Sequence, residues 1–288
     1  MRIGVIGGGT MGIGIAHRIA ASGGTAFIVD VDEDTARRAA GSVVQTLEVA
    51  HDRGKLSDTG LAGARERVRP VGQVGDLPEN LDAIIEAIVE EVGLKRSVLD
   101  AAEGRSPRVL ASNTSSISID SLAEGLVRPD EFAGMHFFNP VWAISLVEVV
   151  RGTRTSQRTL DRITQIVEFL GMEQAVIGDA PGFATSRLGV LVGIEAIRMV
   201  EEGVAAPADI DTAMRLGYRH PMGPLMLGDL VGLDVRLKIA DHLCSVYGPR
   251  FDPPRLLREM VADGRLGKKT GIGFYDWTSG SPVPIQEI

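Results

Sequence analysis

Short apolar runs rich in β-branched residues recur over residues 2–177: Ile3-Gly4-Val5-Ile6, Ala26-Phe27-Ile28-Val29, Ala83-Ile84-Ile85-Glu86, Val109-Leu110-Ala111 and Glu173-Gln174-Ala175-Val176-Ile177. Each has the length of a strand. Between them, residues 33–53 and 156–170 carry apolar positions at helical spacing. This alternation predicts an α/β fold with a doubly wound, mostly parallel sheet. Asp32 and Thr155 stand where N-caps belong, and Gly54 and Gly171 where the helices should stop. After Asp179-Ala180-Pro181-Gly182 the strand-like runs cease, and helical patterns follow one another to about residue 263. The chain therefore divides into a predicted nucleotide-binding domain over 1–180 and an all-helical domain over 181–288. Within the latter, a helix over 183–202 carries Leu188, Leu191, Val192, Ile194, Ile197, Met199 and Val200. That apolar surface suits either the centre of its own domain or a contact with a second subunit, and periodicity does not choose between them.

Gly7-Gly8-Gly9-Thr10-Met11-Gly12 follows the first strand directly and opens a helical pattern. In this context Gly7 serves the tight turn, Gly9 lets a pyrophosphate approach the backbone, and Gly12 lets helix and strand pack closely. The start of the helix would face the phosphates. Asp30 ends the second strand at the distance expected of an acid that accepts from the adenosine ribose hydroxyls. Val31, Asp32 and Glu33 follow it and offer no countercharge to a 2′-phosphate, which favours NAD over NADP. The fold expected of the first domain is thus Rossmann-type.

Charge and composition narrow the partners. A net charge of −8 argues against a nucleic-acid surface. Hydrophobic residues at 44% and charged residues at 24% fit a folded globular enzyme. The single cysteine, Cys244, forms no internal disulfide and lacks the clustered partners of a metal site. The first strand begins at once, and apolar stretches such as 188–194 fall short of the roughly 20 residues that span a bilayer. These features predict a cytoplasmic protein with no membrane partner and no metal.

Oxidising an alcohol with hydride loss requires a base near the nicotinamide. His136 is the best placed of five histidines, between Phe132-Ala133-Gly134-Met135 and the loop Phe137-Phe138-Asn139-Pro140 at the carboxyl edge of the sheet. Glu148 is the one acid in the apolar run Leu146-Val147-Glu148-Val149-Val150, so it needs a partner if buried. Taken without context, a lone strand glutamate faces solvent more often than it orients a histidine. Ser112-Asn113-Thr114-Ser115-Ser116 follows another strand and offers several short hydrogen-bonding groups, which serve a polar substrate or ordinary turn and cap chemistry equally well.

These segments, with Glu86-Ala87-Ile88-Val89-Glu90, Met135-His136-Phe137-Phe138-Asn139-Pro140, Pro181-Gly182-Phe183 and Gly267-Lys268-Lys269-Thr270-Gly271-Ile272-Gly273-Phe274-Tyr275, closely resemble the 3-hydroxyacyl-CoA dehydrogenase family over nearly the whole chain. The resemblance implies a homodimer of two-domain subunits that interconverts (S)-3-hydroxyacyl-CoA and 3-ketoacyl-CoA with NAD, in the manner of single-function bacterial 3-hydroxybutyryl-CoA dehydrogenases. It makes His136 the base, Glu148 its carboxylate partner and Ser115 a hydroxyl that bonds substrate and histidine. It assigns Gly7, Gly9, Thr10, Met11, Gly12, Asp30, Glu90, Lys95 and Asn113 to the cofactor. Thr46, Arg53, Ser115 and Asn139 go to the acyl-CoA. Arg53 and Lys55 could pair with CoA phosphates, or belong with Thr46 to a solvated helix face. One position departs from the pattern: Ser186 stands where the family has an asparagine before an arginine, here Arg187. Its shorter side chain keeps a donor and an acceptor but not both amide functions. Two rival functions remain: a related dehydrogenase of a small hydroxy or sugar acid, and a nucleotide-binding protein without catalysis.

Overall fold

The computed structural model describes residues 1–285. It separates into two compact units, Met1–Phe183 and the chain from Ala184 onward. In the first unit one sheet contains β1 (Arg2–Ile6), β2 (Thr25–Val29), β3 (Val68–Val71), β4 (Ala83–Glu86), β5 (Leu110–Ser112), β6 (Phe132–Phe137), β7 (Leu146–Arg151) and β8 (Glu173–Gly178). The order is β3-β2-β1-β4-β5-β6-β7-β8. The first six strands run parallel, β7 turns antiparallel to β6, and β8 runs parallel to β7. Helices α1 (Thr10–Ala21), α2 (Glu33–Asp52), α3 (Asp58–Glu66), α4 (Val92–Glu103), α5 (Ile119–Leu122) and α6 (Gln157–Phe169) complete the unit.

Alternate strand residues feed two apolar clusters: Ile3, Val5, Ile28 and Ile85 on one face, and Ile6, Val29, Ile84 and Leu110 on the other. Burial on both faces explains why these strands read as continuous apolar runs. The strand order reverses between β1 and β4, and it is outside the carboxyl ends at such a reversal that ligands bind in this architecture.

Three local expectations need correction. β3, Val68-Arg69-Pro70-Val71, has no apolar signature because it lies at the sheet edge and pairs only with β2. Pro70 is tolerated there, since an edge strand has a side on which no ladder donor is required. Helix α6 is capped by Ser156, whose hydroxyl accepts from Thr159 N at 3.2 Å. Thr155 is occupied otherwise: its hydroxyl donates to Phe132 O at 2.7 Å and accepts from Gly152 N at 3.0 Å. The helix expected over 183–202 starts later, because Phe183 has a left-handed backbone with φ of 48°.

The second unit contains α7 (Thr185–Glu201), α8 (Pro207–Gly217), α9 (Pro224–Val231), α10 (Leu233–Tyr247) and α11 (Arg255–Ala262). It adds a small antiparallel pair, β9 (Tyr275–Asp276) with β10 (Val283–Pro284), too short to be seen in the sequence pattern. Val190, Ile194 and Ile197 of α7 enter its core with Leu233, Leu243, Leu257 and Phe274.

Two buried carboxylates tie this unit together. Asp211 accepts from Leu225 N and Met226 N, both at 2.8 Å, and from the Tyr275 hydroxyl at 2.8 Å. It thereby supplies the first turn of α9 with acceptors that the Gly223 N-cap lacks. Asp229 accepts from Phe274 N, Tyr275 N and Trp277 Nε1 at 2.9–3.0 Å. A Cβ at Gly273 would collide with that carboxylate, which is one reason the Gly271-Ile272-Gly273-Phe274-Tyr275 segment has its composition. Among the described residues no helix is long and apolar enough to cross a membrane.

Candidate active site

The first βα turn is shaped by two glycines. Gly7 has φ of 108°, a region that side chains rarely enter, and a Cβ on Gly12 would run into the Gly7 carbonyl. Gly9 differs from both, since a Cβ there would meet no protein atom within 4 Å. Packing within the chain therefore does not require glycine at that position. Gly9 is also the N-cap of α1 and offers no side-chain acceptor, which leaves first-turn N–H groups available to a phosphate. Asp30, at the end of β2, borders this turn and accepts from Gly8 N at 2.5 Å and Val31 N at 2.7 Å.

At the carboxyl ends of β4 and β5 lies a network that joins Glu90, Lys95 and Asn113, expected at the cofactor, to Glu86, for which the sequence suggests no role. Glu86, fully buried, faces Ser112 in the strand register. Its carboxylate accepts from Ser112 Oγ at 2.6 Å, Lys95 Nζ at 2.6 Å and Ile88 N at 2.7 Å. Lys95 is only 1% exposed, and its ammonium also reaches Ile88 O and Glu90 Oε2, each at 3.3 Å.

Glu90 Oε1 in turn accepts from Thr114 Oγ1 at 2.6 Å, Ser115 N at 3.0 Å, Ser116 N at 3.1 Å and Ser116 Oγ at 3.0 Å. Burial alone would raise its pKa. The Thr114 hydroxyl, the Lys95 charge and the Ser115 and Ser116 donors outweigh that and hold the carboxyl below its ordinary range. Glu90 thus fixes the loop that presents Ser115, which is exposed. Asn113 plays a bridging part: its Oδ1 accepts from Phe137 N at 2.8 Å, joining this loop to the end of β6.

His136 and Glu148 are direct register partners in the antiparallel pair of β6 and β7. Glu148 is fully buried, and its Oε2 lies 2.8 Å from His136 Nδ1. A carboxylate accepts, so Nδ1 carries the proton and Nε2 keeps the basic lone pair. The ring is 8% exposed and packs against Phe138 and Phe183, at centroid distances of 4.5 and 5.8 Å. The left-handed backbone at Phe183, costly for a residue with a Cβ, accompanies this packing.

Of the remaining candidates, Thr10, Arg53 and Asn139 are exposed and Met11 partly so. Thr46 is half-buried on α2 and donates to Val43 O at 2.7 Å. Ser186 lies in the first turn of α7, in the second unit.

Comparison with known proteins identifies the family. Residues 2–180 match the model of the 3-hydroxyacyl-CoA dehydrogenase NAD-binding domain, and residues 182–277 match that of the 3-hydroxyacyl-CoA dehydrogenase C-terminal domain. The chain belongs to the 3-hydroxyacyl-CoA dehydrogenase family. It is therefore an NAD-dependent oxidoreductase by descent. Among its relatives are a probable 3-hydroxybutyryl-CoA dehydrogenase of Deinococcus radiodurans, 41% identical over 96% of this chain and 100% of that protein. The mitochondrial hydroxyacyl-coenzyme A dehydrogenase of Sus scrofa is 39% identical over 95% of this chain and 90% of that protein. The crystal structure of the (S)-3-hydroxybutyryl-CoA dehydrogenase of Ralstonia eutropha superimposes with a TM-score of 0.89 at 38% identity, covering 96% and 98% of the two chains.

The buried charges of this family member generate a prediction. Replacing Lys95 with Met strands the Glu86 carboxylate, so urea unfolding should show a stability loss of about 3–5 kcal/mol. Adding Glu86→Gln to that variant should recover part of it, and a double variant as unstable as the single would show that the pair's charge is not the cause.

Proposed function

We propose that the enzyme catalyses NAD-dependent, reversible oxidation of short-chain (S)-3-hydroxyacyl-CoA, such as 3-hydroxybutyryl-CoA, to 3-ketoacyl-CoA. The observation that carries this reading is the buried His136–Glu148 pair at the carboxyl edge of an NAD-binding sheet. His136 Nε2 takes the proton of the C3 hydroxyl while the C3 hydrogen departs with its electron pair, and the oxygen lone pair closes the carbonyl. NAD supplies the hydride acceptor, held by the Gly7–Gly12 turn and by Asp30. As the proton arrives, Glu148 faces an imidazolium and stabilises it without moving. In this reading Ser115 hydrogen-bonds the substrate oxygen, Glu90 and Asn113 fix its loop beside the nicotinamide, and Lys95 positions Glu90. Asn139, Thr46 and Arg53 serve the thioester and its CoA tail. Asp30, an anion where a 2′-phosphate would lie, favours NAD over NADP.

The exposed apolar positions of the second unit support a homodimer. Leu188, Leu191 and Val192 on α7 and Leu227, Leu230 and Val231 on α9 remain uncovered although α7 also supplies the unit's core. Such side chains on adjacent helices are what a second copy would bury. A cytoplasmic location is part of this reading.

NADH consumption with acetoacetyl-CoA should be rapid, and should fail with free acetoacetate or with NADPH. Turnover of the free acid instead would point to a hydroxy-acid dehydrogenase. His136→Ala should lower kcat by about 10²–10⁴ with NADH binding retained, and Glu148→Gln should fall between it and the parent. An unchanged rate in His136→Ala would remove the proposed base.

Ser186→Ala should reduce turnover or weaken substrate binding severalfold; identical kinetics would take Ser186 out of the site. Sedimentation equilibrium should give a dimer, shifted toward monomer by Leu188→Glu with Leu191→Glu, and a monomer in the parent would reject the interface.

A further inference from the structure

Trp142 is linked to Thr46 through His17, and its setting is built from three segments of the chain. It follows Val141, whose side chain lies so close to α1 that a Cβ on Gly14 would press into it. One turn further along α1, His17 meets the indole at a centroid distance of 5.6 Å and an interplanar angle of 54°. His17 is itself held from α2. Its Nδ1 lies 2.9 Å from Thr46 Oγ1, and since that hydroxyl donates to Val43 O, its oxygen must accept from His17. The tautomer is therefore Nδ1–H. Burial, with the neighbouring Arg18 charge, pushes the His17 pKa down to about 4, so the ring is neutral at physiological pH.

A buried, hydrogen-bonded ring is a firm support, yet the indole it supports is 42% exposed. From Thr46 the same face of α2 continues through Val49, 48% exposed, to the exposed Arg53, at spacings of three and then four residues. The run from Thr46 to Arg53 measures about 10 Å, and Lys55 lies just beyond it. Along this strip an aromatic face, a hydroxyl, an apolar patch and two cations succeed one another.

We propose that Trp142, positioned by His17, is the stacking platform for the adenine base of the acyl-CoA, with the phosphates of the same nucleotide directed toward Arg53 and Lys55. The proposal deepens the acyl-CoA reading and rests on it. Adenine suits the platform better than the pantetheine arm, because an aromatic face gains most from a second π surface and because exposed cations beside it complement the phosphates that accompany the base. His17 is a positioning residue that touches no part of the reacting atoms.

The test compares acetoacetyl-CoA with acetoacetyl-pantetheine, which has the same reacting end and no nucleotide. In Trp142→Ala the ratio of kcat/KM for the CoA thioester to that for the pantetheine thioester should fall about tenfold. Trp142→Phe, which keeps an aromatic face, should hold most of the ratio, and His17→Leu should lower it in the direction of Trp142→Ala. An unchanged ratio in Trp142→Ala, or equal losses in the Phe and Ala variants, would overturn the platform. If the parent enzyme turns over neither thioester, the acyl-CoA reading itself fails, a result distinct from an unchanged ratio.

Discussion

The antiparallel turn of β7 against β6 is the constraint on which the proposed chemistry depends. Six parallel strands bring their carboxyl ends to one edge, and a seventh parallel strand would put its own carboxyl end there too. Reversing β7 places its beginning at that edge instead, so Glu148, third in the strand, stands opposite His136, fifth in β6. Side chains of directly opposed antiparallel residues share one face. The register alone thus delivers a carboxylate to a histidine, and the 2.8 Å contact needs no loop to find it. A slip of one residue would send Glu148 to the other face.

Burying that carboxylate is expensive unless it is hydrogen-bonded, and the same holds for Glu86. The first unit answers both cases with a cation or a donor fixed by regular structure. Glu86 meets Ser112 across the parallel register and Lys95 from α4, while Glu90 gathers the Thr114–Ser116 backbone and hydroxyls. With its pKa held below the ordinary range, Glu90 stays charged at any pH where the enzyme would work. The loop carrying Ser115 is therefore held by an ion that does not titrate away near neutrality.

The α/β architecture was legible because β1, β2, β4 and β5 are buried on both faces and read as apolar runs. β3 was hidden by Arg69 and Pro70, the latter tolerated because the strand lies at the sheet edge. Ser156 displaced Thr155 as a cap for a tertiary reason: the Thr155 hydroxyl is engaged with Phe132 and Gly152, contacts invisible to local propensity. At the site, His136 and the glycine turn stood out by position, whereas Glu148 was ambiguous, since alternation within one strand does not reveal what the next strand opposes to it. Glu86 was masked more thoroughly. An acid ending an apolar strand resembles the start of a loop, and the signal that could have exposed it was Lys95 nine residues on, within a helix that buries it.

Packing constraint is unevenly spread over this fold. A Cβ on Gly12 would run into the Gly7 carbonyl, and the Asp211 and Asp229 anchors each satisfy several backbone groups at once, so a substitution at Gly12 clashes and one at either aspartate leaves donors stranded in the interior. Trp142 is different: it is 42% exposed, and its indole meets the His17 ring. Side chains under so little packing constraint can vary without threatening the fold, which is the freedom a recognition surface requires. The support beneath the indole is not free in the same way. His17 is buried, its tautomer is set by Thr46, and Thr46 is set by Val43, so the platform's orientation is fixed by α1 and α2 even though its outer face is open. Rigid support under an exposed ring limits the entropy lost when a ligand stacks on it, and that preorganisation is what distinguishes a binding surface from an incidental exposed aromatic.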